Sequence, residues 1–166
     1  MPPRFHPIEE ADHSYFTRAP LYMTRSVDVP YPVEETWAAL TDDSGPAHWT
    51  KGVKRLTWTS PRPFGVGTTR EVELNSGLVL RERFFHWEEG RRKTFTGVES
   101  TVRMFRHLVE DYVVESTPDG SRLTWQWAAE LHRPWTYLKP LLMRAVLEPA
   151  ARSHIDGLRA HMATTR

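Results

Sequence analysis

Two carboxylates and a phenol are the residues of this sequence best placed for chemistry. Glu82, Glu110 and Tyr112 each fall on the strand face that otherwise carries apolar side chains. A carboxyl group held among apolar neighbours has a raised pKa and can give up or take a proton near neutral pH. A phenol beside it can relay that proton. Arg70 is expected opposite Glu82. The simplest role of that pair is structural, because a buried charge without a partner is very costly. An Arg in contact also favours the ionised carboxylate, so Glu82 suits a base or a hydrogen-bond anchor for a ligand oxygen better than an acid. No Arg is expected opposite Glu110, so burial makes it the better general acid, whereas a place at the pocket rim would leave it solvated.

Other chemistries lack their residues. With no cysteine, disulfides, thiolate metal sites, iron–sulfur clusters and a Cys nucleophile are excluded. His107, His132, His154 and His161 show no metal-binding spacing; the last two lie seven apart without a third ligand, so no metal is expected. The Gly-Val-Gly at 65–67 lacks the Gly-Lys-Ser/Thr ending of a phosphate loop and suits a tight turn at a pocket mouth instead. No Ser–His–Asp arrangement follows from spacing, and no cofactor is expected. Lys and Arg number 22 against 21 Asp and Glu, a net charge of +1, which offers no single-sign field for nucleic acid or an anionic membrane. No apolar run has membrane-spanning length and the first residues lack a signal-peptide core, so a cytoplasmic location is expected by default.

Hairpin arithmetic gives these side chains their neighbours. A turn centred on Ser76 sets Leu74 opposite Leu78, Val72 opposite Leu80 and Arg70 opposite Glu82. Phe84 and His86 continue that face, while Thr69, Glu71, Glu73, Val79, Arg81 and Arg83 share the other. A turn at Asp119-Gly120 sets Val114 opposite Trp125, Tyr112 opposite Trp127 and Glu110 opposite Ala129. Tyr112, Trp125 and Trp127 then form an aromatic wall, in a chain whose 11% aromatic content includes seven Trp. Arg70, Leu80, Phe84, His86, Trp125 and Trp127 are the expected ligand-binding residues.

The elements that carry this pattern follow in a simple order. Residues 22–29 read as a strand, 32–40 as a short helix with Pro32 at its first position and Glu34 and Glu35 at its positive end, and 42–49 as a second short helix or turn. Six strands follow, at 52–60, 68–74, 78–88, 92–98, 105–116 and 121–131. The last third changes to helical period, with Leu138, Leu142, Val146, Ile155, Leu158 and Met162 in one stripe and Pro149 expected to kink or break it. Residues 1–20 read as an irregular extension that either docks on the domain through Phe5, Ile8, Tyr15 and Phe16, beside the pocket mouth, or is a frayed terminus; residues 21–166 form the domain. An antiparallel sheet with one apolar face needs a cover, and the long helix is the only element large enough. The fold expected is α+β: a curved, seven-stranded antiparallel sheet around a long C-terminal helix, with two short helices after the first strand.

This order resembles the SRPBCC superfamily, the START-like or helix-grip proteins, and more narrowly its polyketide cyclase/dehydrase-type branch. The likeness is carried by VDVPYPVEETWAALTD followed by Trp49, by GVGTTREV, by LRERFFHWEE and by DGSRLTWQW, and spans about 22–163. It implies a cavity between sheet and helix for a small hydrophobic ligand, and a function ranging over aromatases, cyclases, lipid or hormone carriers and chaperone activators. Two functions are expected. One is cofactor-free cyclisation or dehydration of a polyketide-like or lipid-like molecule, with Glu82, Glu110 or Tyr112 moving the proton. The alternative is a non-catalytic carrier or sensor. The charged outer sheet face argues against a protein-partner module, and a monomer or homodimer is expected.

Overall fold

Alternating apolar residues and tight turns build the sheet of the computed structural model, which describes residues 3–43, 45–137 and 140–164. In chain order the elements are β1 (His6–Pro7), β2 (Leu21–Val29), α1 (Val33–Thr41), β3 (Val53–Trp58), β4 (Thr69–Leu74), β5 (Val79–Glu88), β6 (Arg92–Ser100), β7 (Phe105–Thr117), β8 (Gly120–Leu131) and α2 (Pro140–Thr164). In space the strands run β2-β8-β7-β6-β5-β4-β3, all antiparallel, and β1 adds two residues beside β6. This is the seven-stranded helix-grip sheet expected, with α2 across its concave face. The second short helix is a 3-10 turn, Gly45–His48. Pro32 caps α1 from outside rather than occupying its first turn, where Glu34 and Glu35 meet the positive end of the dipole.

The first hairpin has the expected register, with Arg70 opposite Glu82 and Val72 opposite Leu80. The last does not. Thr117 pairs with Gly120, so Pro118 and Asp119 are the two loop residues and every pair shifts by two: Tyr112 faces Trp125, Glu110 faces Trp127 and Val114 faces Leu123. The cause is Gly120. Its φ of +148° suits glycine, and a Cβ there would stand 2.2 Å from the Val29 carbonyl oxygen, so the glycine belongs to the strand end against β2 and not to the loop. A shift of two keeps each side chain on its face.

β5 carries the larger correction. Phe84 pairs with Phe95 but His86 pairs with Thr94, so Phe85 is an extra, bulged residue and the alternation reverses beyond it. His86 therefore leaves the concave face and meets the ring of His13 at 5.2 Å on the convex face. Trp87 takes the inward place, edge-on to Phe84 at 5.1 Å and to Trp37 at 5.6 Å.

The first residues dock in two places: His6 and Pro7 pair with Ser100 and Glu99 at the end of β6 and Ile8 enters the main core, while the residues that follow cover the convex face. Ala11 and Tyr15 pack on Val109 and Ala128, with Phe16 and Phe85 beside them. Asp12 caps the 3-10 turn His13–Thr17 by accepting the Ser14 N–H at 2.9 Å. Helix α2 runs through Pro149 without a break. Burial of Ala151, Ile155, Leu158 and Met162 anchors the segment beyond the proline. Leu138 lies outside the described residues, as do the side chains of Leu142 and Val146. At Gly157, a Cβ would lie 1.8 Å from the Trp49 carbonyl oxygen. This bare helix position lets α2 close on the loop that carries Trp49 and Thr50.

Candidate functional site

Between the concave sheet and α2 lies a cavity of about 280 Å³, with Leu80, Leu108, Trp125 and Trp127 among its apolar lining and Arg70, Glu82, Glu110, Tyr112, Thr50 and His154 supplying its polar groups. The strands put these groups together through β4–β5 and β7–β8 pairing, and α2 lowers His154 onto them. Of the residues expected at the ligand, Arg70, Leu80, Glu82, Glu110, Tyr112, Trp125 and Trp127 reach the wall. Phe84 does not. It is wholly buried behind Arg70. His86 is on the opposite face of the sheet.

Arg70 and Glu82 form a buried ion pair, Nε to Oε2 at 2.5 Å. The guanidinium also lies over the rings of Phe95 at 4.5 Å, Phe84 at 5.1 Å and Trp58 at 5.4 Å. Its Nη1 has no hydrogen-bond partner among the described residues, and these aromatic faces supply attraction in place of one. Burial works against the Arg70 charge, but the adjacent Glu82, with Tyr112 and Glu110 adding to it, outweighs burial and holds the pKa above the ordinary value. The pair is thus largely satisfied without a ligand.

Glu110 is in a different state. One of its oxygens accepts the indole N–H of Trp125 at 2.9 Å and the hydroxyl of Tyr112 at 3.1 Å. Burial, with the Glu82 charge adding to it, raises its pKa to about 7 against the opposing pull of those bonds and of Arg70. The Tyr112 oxygen also lies 2.8 Å from His154 Nε2, and His154 Nδ1 lies 2.7 Å from the Thr50 hydroxyl. Burial, helped by the charges of Arg70 and Lys93, lowers the His154 pKa to about 3 and keeps the ring neutral. Burial and the Glu110 charge push the Tyr112 phenol well up.

The result is one hydrogen-bonded chain, Trp125, Glu110, Tyr112, His154, Thr50. Proton counting allows it two arrangements. With Glu110 ionised, Tyr112 donates to Glu110, His154 Nε2–H donates to the phenol and Thr50 donates to Nδ1. With Glu110 protonated, every bond from Glu110 to Thr50 reverses. A carboxyl that titrates near neutrality selects between them.

Sequence reasoning missed two residues here. His154 stood in view only as a metal ligand, although it shares the buried stripe of Ala151, Ile155 and Leu158, where a polar side chain asks for a partner. Lys93 alternates with Phe95 on the inward face. Its amine is buried and donates to the Leu40 carbonyl at the end of α1. Burial, then Arg70, lowers its pKa well below the ordinary value. It tethers α1 from behind the cavity wall. Among the described residues, no three His, Asp or Glu side chains gather as a metal site.

Residues 21–163 match the family described as polyketide cyclase / dehydrase and lipid transport. The chain belongs to this family, within the SRPBCC superfamily. Among its relatives are uncharacterized proteins of Mycobacterium tuberculosis and Mycobacterium bovis, 35% identical over 158 residues that cover 94% of this chain and 93% of theirs. A START superfamily protein from Mycobacterium smegmatis superposes with a TM-score of 0.72 at 11% identity, over 87% of this chain and 99% of that one. An aromatase/cyclase from a Streptomyces species superposes with a TM-score of 0.71 at 11% identity, over 86% and 93%. At that identity the two structures establish the shared fold. As an SRPBCC protein this chain is a ligand-binding one.

Proposed function

We propose that this protein binds a small hydrophobic molecule bearing a carbonyl oxygen, polyketide-like or lipid-like, and promotes its cyclisation or dehydration without a cofactor. The observation that carries the reading is the Glu110–Tyr112–His154 chain: a carboxyl of near-neutral pKa bonded to a phenol, which is bonded in turn to a neutral imidazole, inside an aromatic wall. In dehydration of a β-hydroxy ketone, ionised Glu110 takes the proton α to the carbonyl, and the Tyr112 hydroxyl, released by Glu110 as that carboxyl is protonated, turns to donate to the enolate oxygen while His154 Nε2–H goes on donating to the phenol. The enolate electrons then form the C=C bond as the C–O bond breaks, and protonated Glu110 returns its proton to the departing hydroxide as water. Proton transfer of this kind contributes about 10²–10⁴-fold. Positioning against Trp125, Trp127 and Leu80 supplies up to roughly 7–11 kcal/mol in ideal cases. Glu82, already paired with Arg70, serves as an anchor.

The apolar remainder of the wall, including Met23, Val72, Leu74 and Leu108, favours a second reading, a carrier or sensor without chemistry. One experiment separates them. A panel of aryl β-hydroxy ketones and β-diketones is assayed for turnover, and for binding by quenching of tryptophan fluorescence. Turnover lost in Glu110→Gln and Tyr112→Phe with binding retained supports the enzyme. Turnover that survives both substitutions sinks it. Binding with no turnover, together with an unchanged lipid co-purifying with the native protein, supports the carrier.

A further inference from the structure

The two ends of the half-barrel differ in a way that the ligand site does not require. At one end Phe64 stacks on Trp58 and Trp87 meets both rings edge-on, which makes an aromatic plug. The cavity-lining Thr50, Val53, Leu74 and Met104 belong to the other end, where β3, β5 and β7 begin and β4, β6 and β8 finish. That end is the mouth. The loops that join the strands there, residues 50–52, 75–78, 101–104 and 132–137, contain no Asp or Glu, and the nearby Glu9 and Glu99 are held by Arg106 and Arg81. They carry Lys51, Arg103 and Arg133, all exposed.

Most other surface arginines hold a carboxylate, among them Arg81, Arg83, Arg91, Arg106 and Arg122; among the described residues the exposed Arg4, Arg18 and Arg159, scattered over the chain, do not. Among the described residues, the three cations at the mouth hold none. Two apolar side chains on these loops are exposed as well. Tyr137 is 69% exposed with the Arg133 guanidinium over its ring at 5.8 Å, and Val102 is 37% exposed. The 132–137 and 101–104 loops are tied by the His132 N–H donating to the Met104 carbonyl at 2.9 Å, so they form one surface.

We infer that this mouth docks on an anionic membrane surface, through Lys51, Arg103 and Arg133 to lipid head groups and through Tyr137 and Val102 to the interface. Unpaired cations beside an exposed tyrosine match the charge and polarity gradient of a bilayer surface. An acidic protein would satisfy the cations but leave the bare tyrosine and valine unexplained. Docking is peripheral: no helix among the described residues is long and apolar enough to cross a membrane. It places the cavity mouth against the phase into which a hydrophobic ligand partitions, so the ligand passes without crossing water.

Co-sedimentation with vesicles tests this independently of any turnover, so a failed dehydration assay leaves it standing and its own failure leaves the proposed reaction standing. The full chain is expected to sediment with phosphatidylcholine vesicles containing phosphatidylglycerol at low salt, to release at high salt, and to ignore pure phosphatidylcholine. Arg103→Glu and Arg133→Glu should each weaken binding about fivefold or more, and Tyr137→Ser should weaken it at every salt concentration. Arg91→Glu, at the far end, should bind as the wild type does. Circular dichroism confirms that each variant is folded. No sedimentation with anionic vesicles, mouth variants that bind like the wild type, or equal loss from Arg91→Glu overturns the inference.

Discussion

His154 Nε2 lies 2.8 Å from the Tyr112 hydroxyl, so a phenol joins the C-terminal helix to the middle of the sheet. Removing that hydroxyl strands a buried imidazole nitrogen. Tyr112→Phe is expected to cost about 1–3 kcal/mol of stability, read from urea denaturation. The same change removes one of the bonds that hold the Glu110 pKa down. Carbon-13 NMR of the Glu110 carboxyl should therefore show its midpoint move above about 7 in Tyr112→Phe. Trp125→Phe should move it further, because the indole bond pulls harder. A midpoint that stays or falls contradicts the hydrogen-bond account.

Glu110 and His154 should pull stability in opposite directions with pH. The Glu110 pKa rises on folding from 4.5 to about 7, so its contribution is complete below 4.5 and is lost as pH climbs through 7. That loss amounts to about 3 kcal/mol at most. The His154 pKa falls from 6.5 to about 3, so its contribution is complete above 6.5 and is lost as pH drops toward 3. Between 4.5 and 6.5 the two slopes oppose each other. Above 6.5 only the Glu110 slope remains, and wild-type stability should decline there while Glu110→Gln stays flat. Below 6.5, His154→Gln should expose the Glu110 decline, and Glu110→Gln the His154 rise. Thermal melts across pH 5 to 8 read all three. Parallel curves for wild type and Glu110→Gln above 6.5 would refute the assignment.

The part of this site that local rules govern is legible in the chain. Arg70 and Glu82 meet because a turn at Asn75-Ser76-Gly77 makes their pairing a matter of counting, and alternation then sends both inward. Tyr112, Trp125 and Trp127 keep their face even though their register slips, since the slip is an even number. What escapes counting is set by contacts distant in sequence. The Phe85 bulge coincides with the N-terminal segment packing onto the convex face, and nothing within 78–88 announces it. His154 reaches Tyr112 only because of the angle and depth at which α2 crosses the sheet, which helical period does not specify.

Arg70 and Glu82 should be costly to separate and cheaper to remove together. Arg70→Met leaves a buried carboxylate alone and should cost about 3–5 kcal/mol. Replacing both, as Arg70→Met with Glu82→Leu, removes the stranded charge and should recover much of that loss. Urea midpoints of the single and double variants form the cycle. Additive losses would mean that the 2.5 Å contact carries no coupling.

Gly157 sets how closely α2 approaches the cavity, and Gly157→Ala tests that spacing. On helix propensity alone the substitution is favourable by about 1 kcal/mol. The structure demands the reverse. The new Cβ would sit 1.8 Å from the Trp49 carbonyl oxygen and 2.9 Å from its carbon, and these are backbone atoms that cannot swing away. Helix or loop must retreat, at an overpacking cost of typically 1–3 kcal/mol. Retreat also separates Thr50, the next residue after Trp49, from His154, breaking the 2.7 Å bond that ends the proton chain. Gly157→Ala should thus lower Tm, alter the near-ultraviolet signal of Trp49, and weaken the pH dependence assigned to His154. A raised Tm with an unchanged tryptophan signal would show that α2 does not approach the Trp49 loop this closely.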